Sequence, residues 1–318
     1  MSKANVLLMG AIYGPTMKQL DDAYTVHRYW EAADKPALLK QIAGNCEAVA
    51  TSGGHGIQAD VIKALPKLKI ISSFGVGYDS TDVAAAKAAG AHVTNTPDVL
   101  TDCVADTTWS LILSTVRKTA AYDKFVREGK WLKGNAPLTD KVWGEKMGII
   151  GLGRIGKAIA RRGEGFGMQV SYHGRNKQAG VAYDYYPTAV ELARNVKILV
   201  VVTPGGKETD KIVSREVIEA LGPKGYLINI SRGSTVDEEA LVKALVDGKL
   251  GGAGLDVFVE EPKVPEALFK LDNVVLQPHV GSGTHHTRQA MGQLVVDNLA
   301  AYFAGKPLLT EVPETLQA

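Results

Sequence analysis

Three segments in the second half of the chain end apolar runs with polar residues of complementary chemistry. They are Asn229-Ile230-Ser231-Arg232-Gly233-Ser234-Thr235-Val236-Asp237, Phe258-Val259-Glu260-Glu261-Pro262 and Gln277-Pro278-His279-Val280-Gly281-Ser282. Strand ends are where open parallel sheets place their ligands. The planar fork of Arg232 matches a carboxylate and can also polarise a carbonyl oxygen beside it. An imidazole titrates near working pH, so His279 is suited to hand over a proton. Glu261 can orient that ring and favour its imidazolium form by pairing with it. A 2-keto acid taking a hydride at its second carbon needs these three things: a cation for its carboxylate, a proton for the developing alkoxide, and a group that keeps the acid protonated. Singly, each residue has a bland explanation: an anchored loop, a surface acid before a proline, a satisfied loop histidine. At successive strand ends, the three together point to one site.

A hydride needs a source, and the chain offers a place for one. Met147-Gly148-Ile149-Ile150 runs into Gly151-Leu152-Gly153-Arg154-Ile155-Gly156 and then Lys157-Ala158-Ile159-Ala160-Arg161, a strand, a tight turn and a helix. Gly151 makes the turn, Gly153 lets backbone approach a pyrophosphate, and Gly156 allows close packing of helix on strand. The helix N-terminus favours the negative charge resting on it. The next strand ends Ser171-Tyr172-His173-Gly174-Arg175-Asn176-Lys177, with no acid where NAD sites usually carry one for the ribose 2′-hydroxyl. Arg175 and Lys177 stand there instead, and a guanidinium can bind a 2′-phosphate bidentately. NADPH is therefore the expected cofactor, with NADH the weaker alternative.

These residues need a scaffold to hold them, and the pattern supplies one. Short β-branched runs alternate with Ala-rich helical stretches, which reads as βαβ units and parallel sheets. Expected strands are Asn5–Met9, Ala48–Thr51, Ile70–Ser73 and His92–Thr94, with helices over Ile57–Leu65 and Thr81–Ala89 between them. One long helix is expected from Asp98 to Arg127, bounded by Pro97 and Gly129. A second strand series covers Met147–Ile150, Val170–Tyr172, Ile198–Val202, Tyr226–Ile230, Gly254–Val257 and Val274–Leu276. A last helix, Thr287–Phe303, precedes a polar tail expected to fray. Because the glycine turn sits mid-chain, the nucleotide domain is expected as an insertion. That gives an α/β protein of two Rossmann-like or flavodoxin-like doubly wound parallel-sheet domains, residues 1–97 plus 286–318 for substrate and 98–285 for dinucleotide, with a cleft between them.

The bulk composition excludes several classes. The chain has 318 residues, 45 % apolar and 22 % charged, with 36 basic against 34 acidic residues and a net charge of +2. Such balance argues against nucleic-acid and membrane-surface partners, which concentrate basic charge. The longest apolar run, Ile198-Leu199-Val200-Val201-Val202, is strand length and cannot span a bilayer. Two cysteines, Cys46 and Cys103, are too few for a disulfide framework and read as buried apolar fillers. The start shows no targeting segment, so a cytoplasmic location is expected.

Beyond these readings, the chain resembles the D-isomer-specific 2-hydroxyacid dehydrogenases along nearly its whole length, most closely their glyoxylate/hydroxypyruvate reductase branch. The resemblance rests on Phe74-Gly75-Val76-Gly77-Tyr78-Asp79, the turn Gly151–Gly156, Ser231-Arg232-Gly233 with Val236-Asp237, Asp256-Val257-Phe258 leading to Glu261-Pro262, and Pro278-His279-Val280-Gly281-Ser282. The catalytic spacings, 261 − 232 = 29 and 279 − 261 = 18, also look like the family's. It implies Arg232, Glu261 and His279 as the catalytic set. Asp256 would face the nicotinamide carboxamide, and Thr203-Pro204 the nicotinamide ribose. Thr209, Ile230, Ser231, Gly281, Ser282 and His279 join the glycine turn, Gly174, Arg175 and Asn176 as candidate cofactor contacts. The backbone of Val76 and Gly77 would hold the substrate carboxylate, a role that suits the unshielded amides around Gly75 and Gly77. The loop Thr51-Ser52-Gly53-Gly54-His55-Gly56 would face the substrate, with Gly53 and Gly54 near its carboxylate. A homodimer packed through the long helix is also implied.

Departures are few: Gly283 stands where many members carry Ala, and the acid after Tyr172 is missing. His285 and His286 with His279 are not read as a metal site, since hydride transfer needs none. The expected activity is reduction of glyoxylate and hydroxypyruvate to glycolate and D-glycerate. The alternatives are a dehydrogenase for a bulkier D-2-hydroxy acid and a dinucleotide-sensing protein of corepressor type.

Overall fold

The computed structural model describes residues 3–316. The chain divides into two compact units, one built from residues up to Leu100 together with those from Thr284 on, the other from Thr101–Gly283.

The first unit runs β1 (Asn5–Leu8), α1 (Gly14–Ala23), β2 (Thr25–Arg28), α2 (Lys35–Ile42), β3 (Cys46–Ser52), α3 (Ala59–Ala64), β4 (Ile70–Phe74), α4 (Val83–Ala88) and β5 (His92–Thr94). Its five strands are parallel in the order β2-β1-β3-β4-β5. Val6, Leu7, Leu8, Ile70 and Ile71 are fully buried, as expected of strands covered on both faces. Asp34 and Asp82 cap α2 and α4 by accepting from the amides of Ala37 and Ala85.

The second unit begins with α5 (Thr101–Val116) and α6 (Thr119–Arg127). It continues through β6 (Lys146–Ile150), α7 (Arg154–Gly165), β7 (Gln169–His173), β8 (Asp184–Tyr185), α8 (Ala189–Asn195), β9 (Ile198–Val201), α9 (Arg215–Leu221), β10 (Tyr226–Asn229), α10 (Glu238–Val246), β11 (Gly252–Leu255) and β12 (Val274–Leu276). All seven strands are parallel, in the order β12-β11-β10-β9-β6-β7-β8. The chain then returns to the first unit as α11 (His285–Phe303), capped by Thr284. Gly292 lets α11 lie on α1: a Cβ there would sit 1.7 Å from Thr16 Oγ1.

Most expected strands fall within a residue or two of those observed, but three local expectations fail. The long helix is two helices, because Lys118 adopts a left-handed backbone (φ 50°) between them. Up to Val116, α5 is pinned by a buried face that includes Trp109, Leu111 and Ile112, whereas α6 buries no residue. With no common face to bury, nothing holds the two in line. The strand expected at Gly254–Val257 lies two residues earlier, since Gly252 and Gly254 form the floor under α5, where a Cβ on Gly254 would meet Thr115 Oγ1 at 2.7 Å. The tail does not fray up to Thr315: Glu311 bridges to Thr94, the Val312 amide donates to Val93 O at 2.8 Å, and Val312 is 2 % exposed.

Neither cysteine forms a disulfide. Cys46 is the expected filler, its thiol pushed up to about 11 by burial, but Cys103 is only partly buried. Among the described residues, no helix is long and apolar enough to cross a membrane.

Candidate active site

In the second unit the three segments singled out from sequence converge. Asn229, ending β10, is buried; its amide nitrogen donates to Arg232 O at 2.9 Å, and its oxygen accepts from the Ser231 amide and hydroxyl. Thr235 adds a hydroxyl bond to Arg232 O at 2.7 Å. The backbone of Arg232 is thereby fixed, and its Nη1 donates to Ser231 O at 2.8 Å. Gly233 then packs against the Glu261 segment so closely that a Cβ would lie 2.0 Å from the Phe258 carbonyl carbon. Arg232 and Glu261 are therefore held in one local frame.

Glu261 accepts from the Phe258 amide through Oε1 and from His279 Nδ1 through Oε2 at 2.8 Å. Burial by itself would raise this carboxyl. The hydrogen bond to His279, the charges of His279 and Arg232 and the Phe258 amide outweigh it and hold the group below the ordinary carboxylate range. His279 has a left-handed backbone (φ 53°), unusual for a residue with a side chain. Asp256, directly after β11, holds it there: the Asp256 carbonyl accepts from the His279 amide, and its two carboxylate oxygens accept from the amides of Val280 and Gly281, all at 2.8 Å. Burial raises the Asp256 carboxyl against the pull of those two amides. Strained backbone over-determined by its surroundings is a mark of functional sites.

One consequence is a pH-dependent stability difference. A depressed carboxyl stabilises the fold above its ordinary pKa, and that stability fades as pH falls through the lower folded value. For a half-exposed pair the magnitude is about 0.5 kcal/mol. Glu261→Gln should therefore melt slightly lower than the parent at neutral pH, and the two melting curves should converge in acid. A gap independent of pH would show that the ionised pair is not its source.

The glycine turn lies between β7 and β9, the point where the seven-stranded order reverses. Gly151 (φ 100°) faces Thr203 and Val202 O, both 2.9 Å from where its Cβ would be. Gly153 opens α7 with empty space above it, and a Cβ on Gly156 would sit 2.3 Å from Gly151 O. Thr203 Oγ1 is buried beside this turn with no partner from the chain. A cradle without side chains, a helix N-terminus and an unanswered hydroxyl are what a dinucleotide requires, so the residues fit that group. Leu152 is buried and Ile155 partly so, while Arg154 is exposed at the start of α7.

After β7, Gly174 accepts from Tyr185, while Arg175 and Asn176 are exposed. Arg175 reaches Glu208 only at 3.8 Å, both side chains more than 80 % exposed. Gln178, not foreseen, ties this loop to the turn by donating to Leu152 O at 2.9 Å. The Thr209 hydroxyl is directed at Pro204 O and Gly206 O, so it shapes its own loop. Pro204 is exposed. Ile230 packs on Gly281, whose carbonyl accepts from Thr107, and Ser282 follows partly buried. A cavity of about 270 Å³ adjoins the Glu261–His279 pair, walled by Phe258, Val264, Phe269 and Leu276.

In the first unit, the ends of β3 and β4 adjoin. The Gly53 amide points at Phe74 O, and Gly75 (φ 145°) lies with its bare Cα against Gly53 and Gly77. Thr96 Oγ1 accepts from the Gly75 amide, and Asn95 Nδ2 donates to Val76 O. Among the described residues, the chain supplies no partner to the amides of Gly54, Val76 and Gly77. Asn229, Thr235 and Asp256 as anchors of the polar loops, and Asn95 and Thr96 behind the glycines, were not legible as such. Their only signal is a small polar residue at or just past a strand end.

Comparison with known proteins places these features in company. Residues 109–281 match the family model for the D-isomer specific 2-hydroxyacid dehydrogenase NAD binding domain. A hydroxyphenylpyruvate reductase of Plectranthus scutellarioides is 52 % identical over 312 residues, covering 98 % of this chain and 100 % of the relative. A glyoxylate/hydroxypyruvate reductase of Arabidopsis thaliana is 50 % identical over the same length and coverage. The crystal structure of an NADPH-dependent glyoxylate/hydroxypyruvate reductase from Sinorhizobium meliloti, in complex with NADP and malonate, superposes with a TM-score of 0.93 at 46 % identity, covering 100 % of both chains.

Proposed function

Because the chain belongs to the D-isomer-specific 2-hydroxyacid dehydrogenases, we propose that it reduces glyoxylate and hydroxypyruvate with NADPH, giving glycolate and D-glycerate. The observation that carries the reading is the Glu261–His279 bond at 2.8 Å, set in the same frame as Arg232. A bound reduced nicotinamide supplies the hydride for the second carbon of the keto acid. Arg232 grips the carboxylate and draws charge onto the keto oxygen. His279, its Nδ1 proton committed to Glu261, presents Nε2 to that oxygen and gives up the proton that makes the hydroxyl. Glu261 holds the ring and steadies its charge before transfer. Asp256 positions His279 through the loop, and its carboxylate would face the carboxamide of a bound nicotinamide. From the first unit, the amides of Gly54, Val76 and Gly77 are assigned to the substrate carboxylate, with Gly53 beside them.

Preference for NADPH rests on Arg175, with Gly174 and Asn176 beside it. Its pairing with Glu208 is long and solvated, so it competes weakly with a phosphate. Arg175→Asp should raise KM for NADPH by about one to two orders of magnitude while changing KM for NADH little. Equal effects on both cofactors would reject phosphate recognition at this residue.

A second reading, a dehydrogenase for a bulkier D-2-hydroxy acid, is favoured by one feature: the apolar cavity beside His279 could take an aryl group. Initial rates for glyoxylate, hydroxypyruvate, pyruvate and phenylpyruvate with each reduced cofactor decide between them. Highest kcat/KM on phenylpyruvate would overturn the first reading. A homodimer is supported by apolar side chains left exposed just beyond α6, among them Trp131, Leu132 and Leu138. Two cysteines and no disulfide suit a reducing, cytoplasmic setting.

A further inference from the structure

The five-stranded sheet has its own reversal of order between β1 and β3, and in open α/β sheets ligands bind outside the strand ends at such a point. Two residues flank it here. Gly10 follows β1, and His55 sits in the loop after β3. The imidazole lies directly over Gly10: a Cβ on that glycine would be 2.3 Å from both Cδ2 and Nε2. Ser52 Oγ holds the other side of the ring, 2.8 Å from Nδ1, and also accepts from the His55 amide at 3.3 Å. Ser52 thus occupies the Nδ1 side whichever tautomer the ring adopts, and Nε2 is the ring nitrogen left for a ligand. The ring is exposed, yet its orientation is fixed on two sides. It follows Gly54 immediately, one of the amides to which the chain gives no partner.

The geometry points to His55 as the residue that recognises a hydroxyl on the third carbon of the keto acid. This rests on the carboxylate being held by the glycine amides of the first unit, as proposed above. Those amides satisfy the anionic end. The Nε2 of a ring fixed one residue further along, donor or acceptor according to tautomer, is then left for a neutral hydroxyl. Hydroxypyruvate carries one in its hydroxymethyl group, and glyoxylate has only hydrogen there. His55 thus sets selectivity between the two acids, while the proton and hydride steps proceed elsewhere.

The readout is the ratio of kcat/KM for hydroxypyruvate to that for glyoxylate. His55→Ala should lower this ratio about tenfold, the usual size of one lost hydrogen bond to substrate. His55→Gln, which keeps a donor and an acceptor near the Nε2 position, should restore much of it. Gly10→Ala should reproduce the loss by displacing the ring, and adding it to His55→Ala should cost little more. A circular-dichroism melt separates displacement from misfolding. A ratio unchanged in His55→Ala, with both acids still turned over, overturns the inference and leaves the function standing. A parent protein inactive on both acids overturns the function, and this inference with it.

Discussion

Replacing His279 by alanine is expected to lower kcat by about 10²–10⁴-fold, the range for a positioned proton donor, with little change in melting temperature. The substitution is clean for structural reasons. The left-handed backbone at 279 is held by the Asp256 carbonyl and, through Val280 and Gly281, by its carboxylate, and none of those bonds uses the imidazole. Alanine inherits the same backbone conformation at a similar cost. Glu261 loses its partner, but its side chain is 36 % exposed and water can replace the bond. Steady-state rates with saturating reduced cofactor provide the check, and near-normal turnover would remove His279 from the proton-donor role.

Arg232→Ala should be nearly as severe, lowering kcat/KM by about 10²–10³-fold, as when one preorganised donor to a developing oxyanion is removed. Lysine should rescue little, because a point charge cannot form the two parallel bonds of a guanidinium. The loss should fall on both KM and kcat, since the same side chain grips the carboxylate and polarises the keto oxygen. The rest of the loop should stay in place: Asn229 and Thr235 hold the main chain of residue 232, not its side chain. An Arg232→Lys enzyme with near-parental kcat/KM on glyoxylate would show that the planar fork is not used.

Both predictions rest on residues that were readable from the sequence, and the reason is physical. Arg232, Glu261 and His279 follow strands whose continuous apolar runs are conspicuous, and their chemistries complement one another. The glycine turn is equally legible, because Gly151 and Gly156 stand where an added Cβ would come within 3 Å of neighbouring backbone. What escaped depends on contacts distant in sequence. The break at Lys118 follows from where the buried face of α5 ends, which no local pattern announces. The shift of β11 reflects glycines chosen for a helix packed above them, against their weak strand propensity. The part that Asp256 plays in holding the His279 loop, through the amides of Val280 and Gly281, also depends on contacts more than twenty residues away. Gly10 drew no notice at all, because its importance lies in a ring arriving from residue 55.

The route of the chain through its two units has a bearing on biosynthesis. Every residue of the second unit has been made once Gly283 is added, whereas the first unit still lacks α11. Until that helix emerges, the face of α1 around Thr16 and the neighbouring side of β4 stay uncovered, although they were among the earliest parts translated. The half begun first is thus the half finished last, and a nascent chain stalled near its end would carry a complete nucleotide fold attached to an open, sticky partner.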